Sequence, residues 1–420
     1  MSGVPARAVP CLNLSGMPRT EAIVTFEVIF KQQFGSAANA GIPALAAAVI
    51  ATGVNAALPF DAVADARIFE TQHHTIRVEP VATGLDHPWG LSFLPDRRML
   101  VTERGGRLYL IDPEGNKQSV AGVPRVAAVG QGGLLDVAVD PNFGSNGMVF
   151  LSYAEPGAGG RRGTAVARAR LSADGNRPRL TDVKVIFQQQ PKSGGGRHFG
   201  SRIVFARDGT LFVTLGDRGD REEAQNLNSH FGKVVRIGKD GSVPADNPFT
   251  GNADALPEIY SYGHRNPQGA TLNPRTGRLW TLSHGARGGD EINRPVAGRN
   301  YGWPVISYGR HYSGAKIGIG QTASGMEQPV HYWDPSIAPS GLAFYSGDLF
   351  PRWRGSLFAG ALKDQLISRL DVNGSRVVGE ERILAGAYGR IRDVREGPDG
   401  AIWFLTDRGN GGLYRIVPDR

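Results

Sequence analysis

The stretch Ile203-Val204-Phe205-Ala206-Arg207-Asp208-Gly209-Thr210-Leu211-Phe212-Val213-Thr214 holds the key to the architecture. Two runs rich in β-branched and aromatic residues flank an Arg-Asp-Gly corner, which is the composition of a β-hairpin. On either side of it the same unit returns at 91–102, 137–151, 270–281, 342–359 and 394–405. Each copy turns at residues such as Pro95-Asp96, Asp140-Pro141, Pro274-Arg275-Thr276-Gly277, Phe350-Pro351 or Pro398-Asp399-Gly400. Six such units predict an all-β protein, a six-bladed β-propeller. A single β-sandwich does not repeat one hairpin six times. The intervals are widest between the third and fifth copies, which predicts inserted loops over one face.

Composition agrees with many tight turns. The 420 residues include 58 glycines and 27 prolines without a G-X-Y period, which excludes a collagen-like fibre. Forty per cent hydrophobic residues supply a large core, against disorder. The single cysteine, Cys11, excludes a disulfide framework, a thiolate zinc site and an iron–sulfur cluster. The net charge of +8 does not indicate nucleic acid. Its basic residues are scattered among acids, no basic run is longer than a pair such as Arg161-Arg162, and aromatics do not interleave with them. An anionic small ligand and a solvated surface account for it better.

Residues 1–68 carry four basic and four acidic side chains, so the whole surplus belongs to residues 69–420. Lys31 precedes an uncharged, Ala- and Val-rich run, and small-x-small triplets occupy 62–66. That order predicts a secretory signal; a membrane anchor is the alternative. The division expected is an N-terminal extension, 1–68, and a propeller, 69–420, that is periplasmic or secreted. Once a signal is removed, no stable membrane insertion is expected.

The inserted segments hold the residues that structure alone explains least. His198 stands among four glycines in 194–200, where the backbone can approach a ligand; a surface histidine is the alternative. Asp217 closes an apolar strand and could fix an imidazole as a general base, or merely cap a turn. Gly263-His264-Arg265-Asn266-Pro267-Gln268-Gly269 packs four different polar side chains between two glycines, which suits an anionic ligand. Residues 285–293 join a glycine-rich backbone to Asp290-Glu291, a pattern compatible with a hard cation such as Ca²⁺. Arg390 and Arg392, two apart, share one face of a strand and could grip a carboxylate; a solvated edge strand would look the same.

Together these segments, with Gly130-Gln131-Gly132-Gly133, Asn300-Tyr301-Gly302-Trp303-Pro304 and Ala338-Pro339-Ser340, resemble the soluble PQQ-dependent sugar dehydrogenases, the glucose/sorbosone and aldose sugar dehydrogenase family. The resemblance runs from about Leu85 to Ile416. It implies an enzyme that oxidises an aldose at its anomeric carbon to the lactone, with pyrroloquinoline quinone (PQQ) and Ca²⁺ as cofactors. It implies catalytic roles for His198 as base, Asp217 as its orienting carboxylate and Arg265 as the group polarising the quinone oxygen, with hydride passing to the quinone C5. It places Gln131, Arg265, Asn266, Gln268, Ser336, Lys363, Arg390 and Arg392 against PQQ, and the carbonyls of Gly285 and Ala286 on the metal.

The family's acid before the histidine is Arg197 here, an aromatic over the cofactor falls near Asp334 beside Trp333, and a threonine becomes Ser336. These departures favour the broader aldose dehydrogenase branch, and shortened loops favour a monomer. A sugar and an external electron acceptor are the expected partners. The competing readings are a calcium-dependent lactonase, which would need carboxylates converging on the metal, and a non-catalytic binding propeller.

Overall fold

The structure, a computed structural model, describes residues 66–173 and 177–419. The expected signal or anchor lies outside the described residues, apart from the last few positions before 69. No helix among the described residues is long and apolar enough to cross a membrane.

Six antiparallel sheets form the blades of a β-propeller. Their innermost strands are Pro88–Phe93, Leu134–Val139, Ile203–Phe205, Pro267–Leu272, Pro339–Phe344 and Ile391–Glu396. Each repeated hairpin in the sequence supplies the two innermost strands of one blade, as in Ile203↔Val213 and Leu91↔Val101. Contacts run from each inner strand to the next, and from the sixth back to the first. The last blade is closed from both ends of the propeller. Thr75–Leu85 pairs with Gly411–Pro418, and Arg67–Glu70 adds a fifth, outer strand.

The core is distributed between blades rather than gathered in one place. One cluster joins blades one and two through Leu100, Leu110, Val149 and Leu151, and another joins blades five and six through Phe358, Ile367, Phe404 and Ile416. Buried hydroxyls reinforce these seams. Thr102, Ser152 and Thr214 each accept an N–H from their own inner strand and donate to a carbonyl at the next blade: Leu135, Ser201 and Pro267 respectively.

Around the axis, six equivalent inner-strand positions carry Gly90, Asp136, Arg202, Gly269, Gly341 and Asp393. The glycines are needed for space: a Cβ on Gly90 would lie 2.9 Å from the Asp136 carboxylate, and one on Gly341 would lie 2.4 Å from the Val394 nitrogen. The room they leave is filled by a buried ion network. Arg202 bonds Asp136 at 2.9 Å and Asp393 at 3.0 Å, and Arg395 bonds the same two acids at 3.0 Å each. The Arg202 guanidinium also lies over the Trp89 ring, 4.3 Å from its centroid.

Candidate active site

The candidate site lies where the inner strands begin. His198 sits in the glycine-rich loop leading into the third blade, with a left-handed φ of 55°. Its amide donates to Gln131 Oε1 at 2.8 Å, and its Nδ1 lies 2.6 Å from Asp217 Oδ1. Asp217 is fully buried and also accepts from Gly219 N at 2.8 Å and from Trp303 Nε1 at 2.9 Å. A carboxylate can only accept, so it selects the Nδ1–H tautomer and leaves Nε2 as a free base. Burial pushes the His198 pKa below 6.5, and the charges of Arg265 and Arg197 push the same way against the Asp217 bond. Burial acts to raise Asp217, but the His198 bond and the His198 and Arg265 charges together hold it below the usual carboxylate range.

The 263–269 segment divides its labour. Arg265 donates from Nη1 to the carbonyls of His284 and Gly285 and lies 5.3 Å from the Trp303 ring centroid, while its buried Nε has no partner. Asn266 accepts from Gly200 N at 3.1 Å, and its buried Nδ2 is also without one. Gln268 accepts from Arg392 at 2.9 Å through its side chain and from Arg202 at 2.7 Å through its carbonyl. The axial network is thereby tied to the site.

His264 turns the other way. It is buried, bonded to Ser261 Oγ at 2.9 Å and stacked on Tyr301. Burial, aided by Lys233, lowers its pKa to about 3. Below pH 6.5 the unfolded chain therefore binds a proton here that the folded chain refuses until about pH 3. The contribution is fully present above 6.5 and is lost as pH falls, at up to about 1.4 kcal/mol per pH unit. Urea denaturation between pH 7 and 5 should show this loss, with a shallower slope in His264→Gln; equal slopes would assign it elsewhere.

Arg390 and Arg392 do share one face, and they meet on a carboxylate of the chain itself. Both donate to Asp407 Oδ2, at 3.2 and 2.7 Å, and Arg104 approaches the other oxygen at 3.9 Å. Burial would raise Asp407, but these three arginines, Arg392 first, hold it at about 2. Arg392 is buried with its Nε unpartnered, whereas Arg390 is half-exposed. One carboxylate facing three guanidiniums leaves a surplus of positive charge at the rim.

The remaining residues gather at Asp290. Its two oxygens accept from Gly285 N, Ile337 N, Ala338 N and Ser336 Oγ, at 2.7–3.1 Å. Burial raises its pKa despite these bonds. Asp290 is thus committed to holding loops together, and Glu291, bonded to Asn293 at 3.0 Å, points from the next position of the same strand. Of the 285–293 segment, the carbonyls of Gly285 and Ala286 are the candidate metal ligands, and that of Gly285 already accepts from Arg265. Lys363 is exposed and donates to Ser336 O at 2.7 Å. Trp333 is no substitute for the missing aromatic, since its ring is buried between blades four and five with Nε1 on Glu380 at 3.1 Å.

Two residues of the site are not evident from the sequence. Trp303 lies within the Asn300–Pro304 motif, but nothing local indicates that its indole reaches Asp217 across 86 positions. Asp407 comes directly after the apolar strand Ile402–Thr406, the same signal that singles out Asp217.

Residues 85–415 match the family described as Glucose / Sorbosone dehydrogenase. Aldose sugar dehydrogenase YliI of Escherichia coli (strain K12) is 48% identical over 348 residues, covering 82% of this chain and 93% of its own. The apo-form structure of the soluble aldose sugar dehydrogenase from Escherichia coli aligns with a TM-score of 0.80 at 47% identity, covering 82% of this chain and all of that one. The PQQ-bound form of an aldose sugar dehydrogenase from Streptomyces coelicolor aligns at 0.68 and 29% identity, covering 81% and 98%. With a family match spanning blades one to six, the chain belongs to the glucose/sorbosone dehydrogenase family and is a sugar oxidoreductase of its PQQ-dependent, aldose sugar dehydrogenase branch.

Proposed function

We propose that this enzyme oxidises aldoses at the anomeric carbon to the lactone, with His198 as the base. The observation that carries the reading is the Trp303–Asp217–His198 chain of hydrogen bonds, which leaves one imidazole nitrogen free beside Arg265. PQQ, when bound, supplies an acceptor for the hydride that leaves C1 with its electron pair. His198 Nε2 takes the hydroxyl proton as the C1–O bond becomes a carbonyl, and Asp217 stabilises the imidazolium that results. Arg265, buried and with an unpartnered Nε, is placed to offset negative charge developing on the acceptor.

The residues present suit a flat tricarboxylate. Buried donors without partners on Arg265, Asn266 and Arg392 await acceptors, and Lys363, Arg390 and Arg392 provide cations. Gln131, Gln268 and Ser336 belong to the same proposed set. Ca²⁺ takes six to eight oxygens, so two carbonyls at Gly285 and Ala286 would hold it only with oxygens from a bound ligand and water. Among the described residues no three His, Cys, Asp or Glu side chains converge as a metal group, which favours this reading over a lactonase. Export to the periplasm, a monomeric state and an external electron acceptor complete the proposal.

The test is reconstitution. Purified chain with PQQ and Ca²⁺ should reduce a dye with several aldoses, and an added chelator should lower the rate. Retention of no quinone absorbance and no turnover with any sugar would reject the proposal.

A further inference from the structure

The loop that carries His198 is held in an unfavourable conformation. His198 has φ 55° and Ser201 φ 91°, and Gly200 between them has φ 65°. Non-glycine residues in such regions are strained and persist only where the surroundings enforce them. The enforcement can be traced atom by atom. The Gly196 carbonyl accepts from Gln131 N at 2.7 Å, and the Phe199 carbonyl accepts from Thr164 Oγ1 at 2.7 Å. The carbonyls of Gly195 and Arg197 both accept from the guanidinium of Arg218. The same guanidinium lies 3.5 Å from the ring centroid of Phe199.

We infer that Arg218 is a positioning residue for His198, clamping the backbone on either side of it while Asp217 fixes its ring. Arg197 and Phe199 are the two sequence neighbours of His198, and Arg218 holds one by its carbonyl and the other by its face. Arg218 is itself buried, and its partners are carbonyls and a ring rather than a carboxylate. Only arginine's planar fork spans two carbonyls and stacks at once. Burial and the nearby Arg162 lower its pKa to about 9, so it remains a cation at neutral pH. Consecutive residues thus divide one task, and a small displacement of a base can lower a rate by about a hundredfold. The inference rests on His198 being the base.

The test uses the full chain reconstituted with PQQ and Ca²⁺, and compares Arg218→Met, Arg218→Lys and His198→Ala. In Arg218→Met, kcat should fall at least about tenfold, with KM for the aldose and PQQ affinity within about twofold. The ring ¹⁵N signals of His198, assigned by their loss in His198→Ala, should change from one fixed tautomer to a mixture. Arg218→Lys, which keeps a cation but not the fork, should recover part of kcat. Unchanged kcat and unchanged ¹⁵N signals in Arg218→Met would overturn the inference, as would equal losses of kcat and PQQ affinity. If both Arg218 variants fail to fold, the residue serves the fold and not the base. If His198→Ala turns over normally, the base assignment fails and this inference falls with it. Loss of turnover in His198→Ala with a fully active Arg218→Met rejects only the positioning role.

Discussion

His198→Ala should lose turnover by a factor of about 10²–10⁴ while still binding PQQ. Only the imidazole offers a base in the described geometry: Asp217 spends its oxygens on His198, Gly219 and Trp303. The cofactor contacts proposed for Arg265, Asn266, Lys363 and Arg392 do not pass through this side chain, so binding should survive. Dye reduction at saturating aldose measures the loss, and the absorbance of retained quinone measures the binding. Normal turnover in the variant would show that another group takes the proton. In the native enzyme, burial and the charges of Arg265 and Arg197 lower the His198 pKa, so the base stays neutral down to a pH below 6.5. The acid limb of kcat/KM in the free enzyme should accordingly lie under 6.5 and move to still lower pH in Asp217→Asn, where the bond and charge that raise the His198 pKa are lost.

Asp136→Ala should be the most destabilising single change in the propeller. Asp136 is fully buried and accepts from Arg202 at 2.9 Å, Ile203 N at 2.9 Å and Arg395 at 3.0 Å. Its removal leaves a buried arginine short of charge compensation, a loss of about 3–5 kcal/mol. The thermal midpoint should drop by roughly 4–7 °C. PQQ affinity should fall as well, because Arg202 also holds the carbonyl of Gln268, whose side chain accepts from Arg392. A midpoint lowered by less than about 2 °C would mean that the axial network fastens little.

The hairpins are legible in the sequence because strand alternation and corner chemistry are local. Ile203–Phe205 and Leu211–Thr214 announce themselves within a dozen residues, and five similar units repeat the message. His198, Asp217 and the 263–269 cluster are legible for a related reason: polar side chains beside many glycines are costly to explain as core. Partnership is not legible. Arg390 and Arg392 can be placed on one face, but their meeting with Asp407 depends on how the sixth blade folds back. Asp290, which suggests a cation site, is consumed by four donors from chain up to 48 positions away.

The six blades and the segments that form the candidate site are thus written into the amino-acid order itself, since period, turns and motifs are short-range properties. The closing strap at Thr75–Leu85 is settled only by tertiary structure, because its partner strand lies more than 300 positions away. So are the Gly90, Gly269 and Gly341 spaces around Arg202, and the clamp that Arg218 places on the His198 loop. Each of these rests on buried polar groups finding partners across blades, and that matching exists only once the ring has closed.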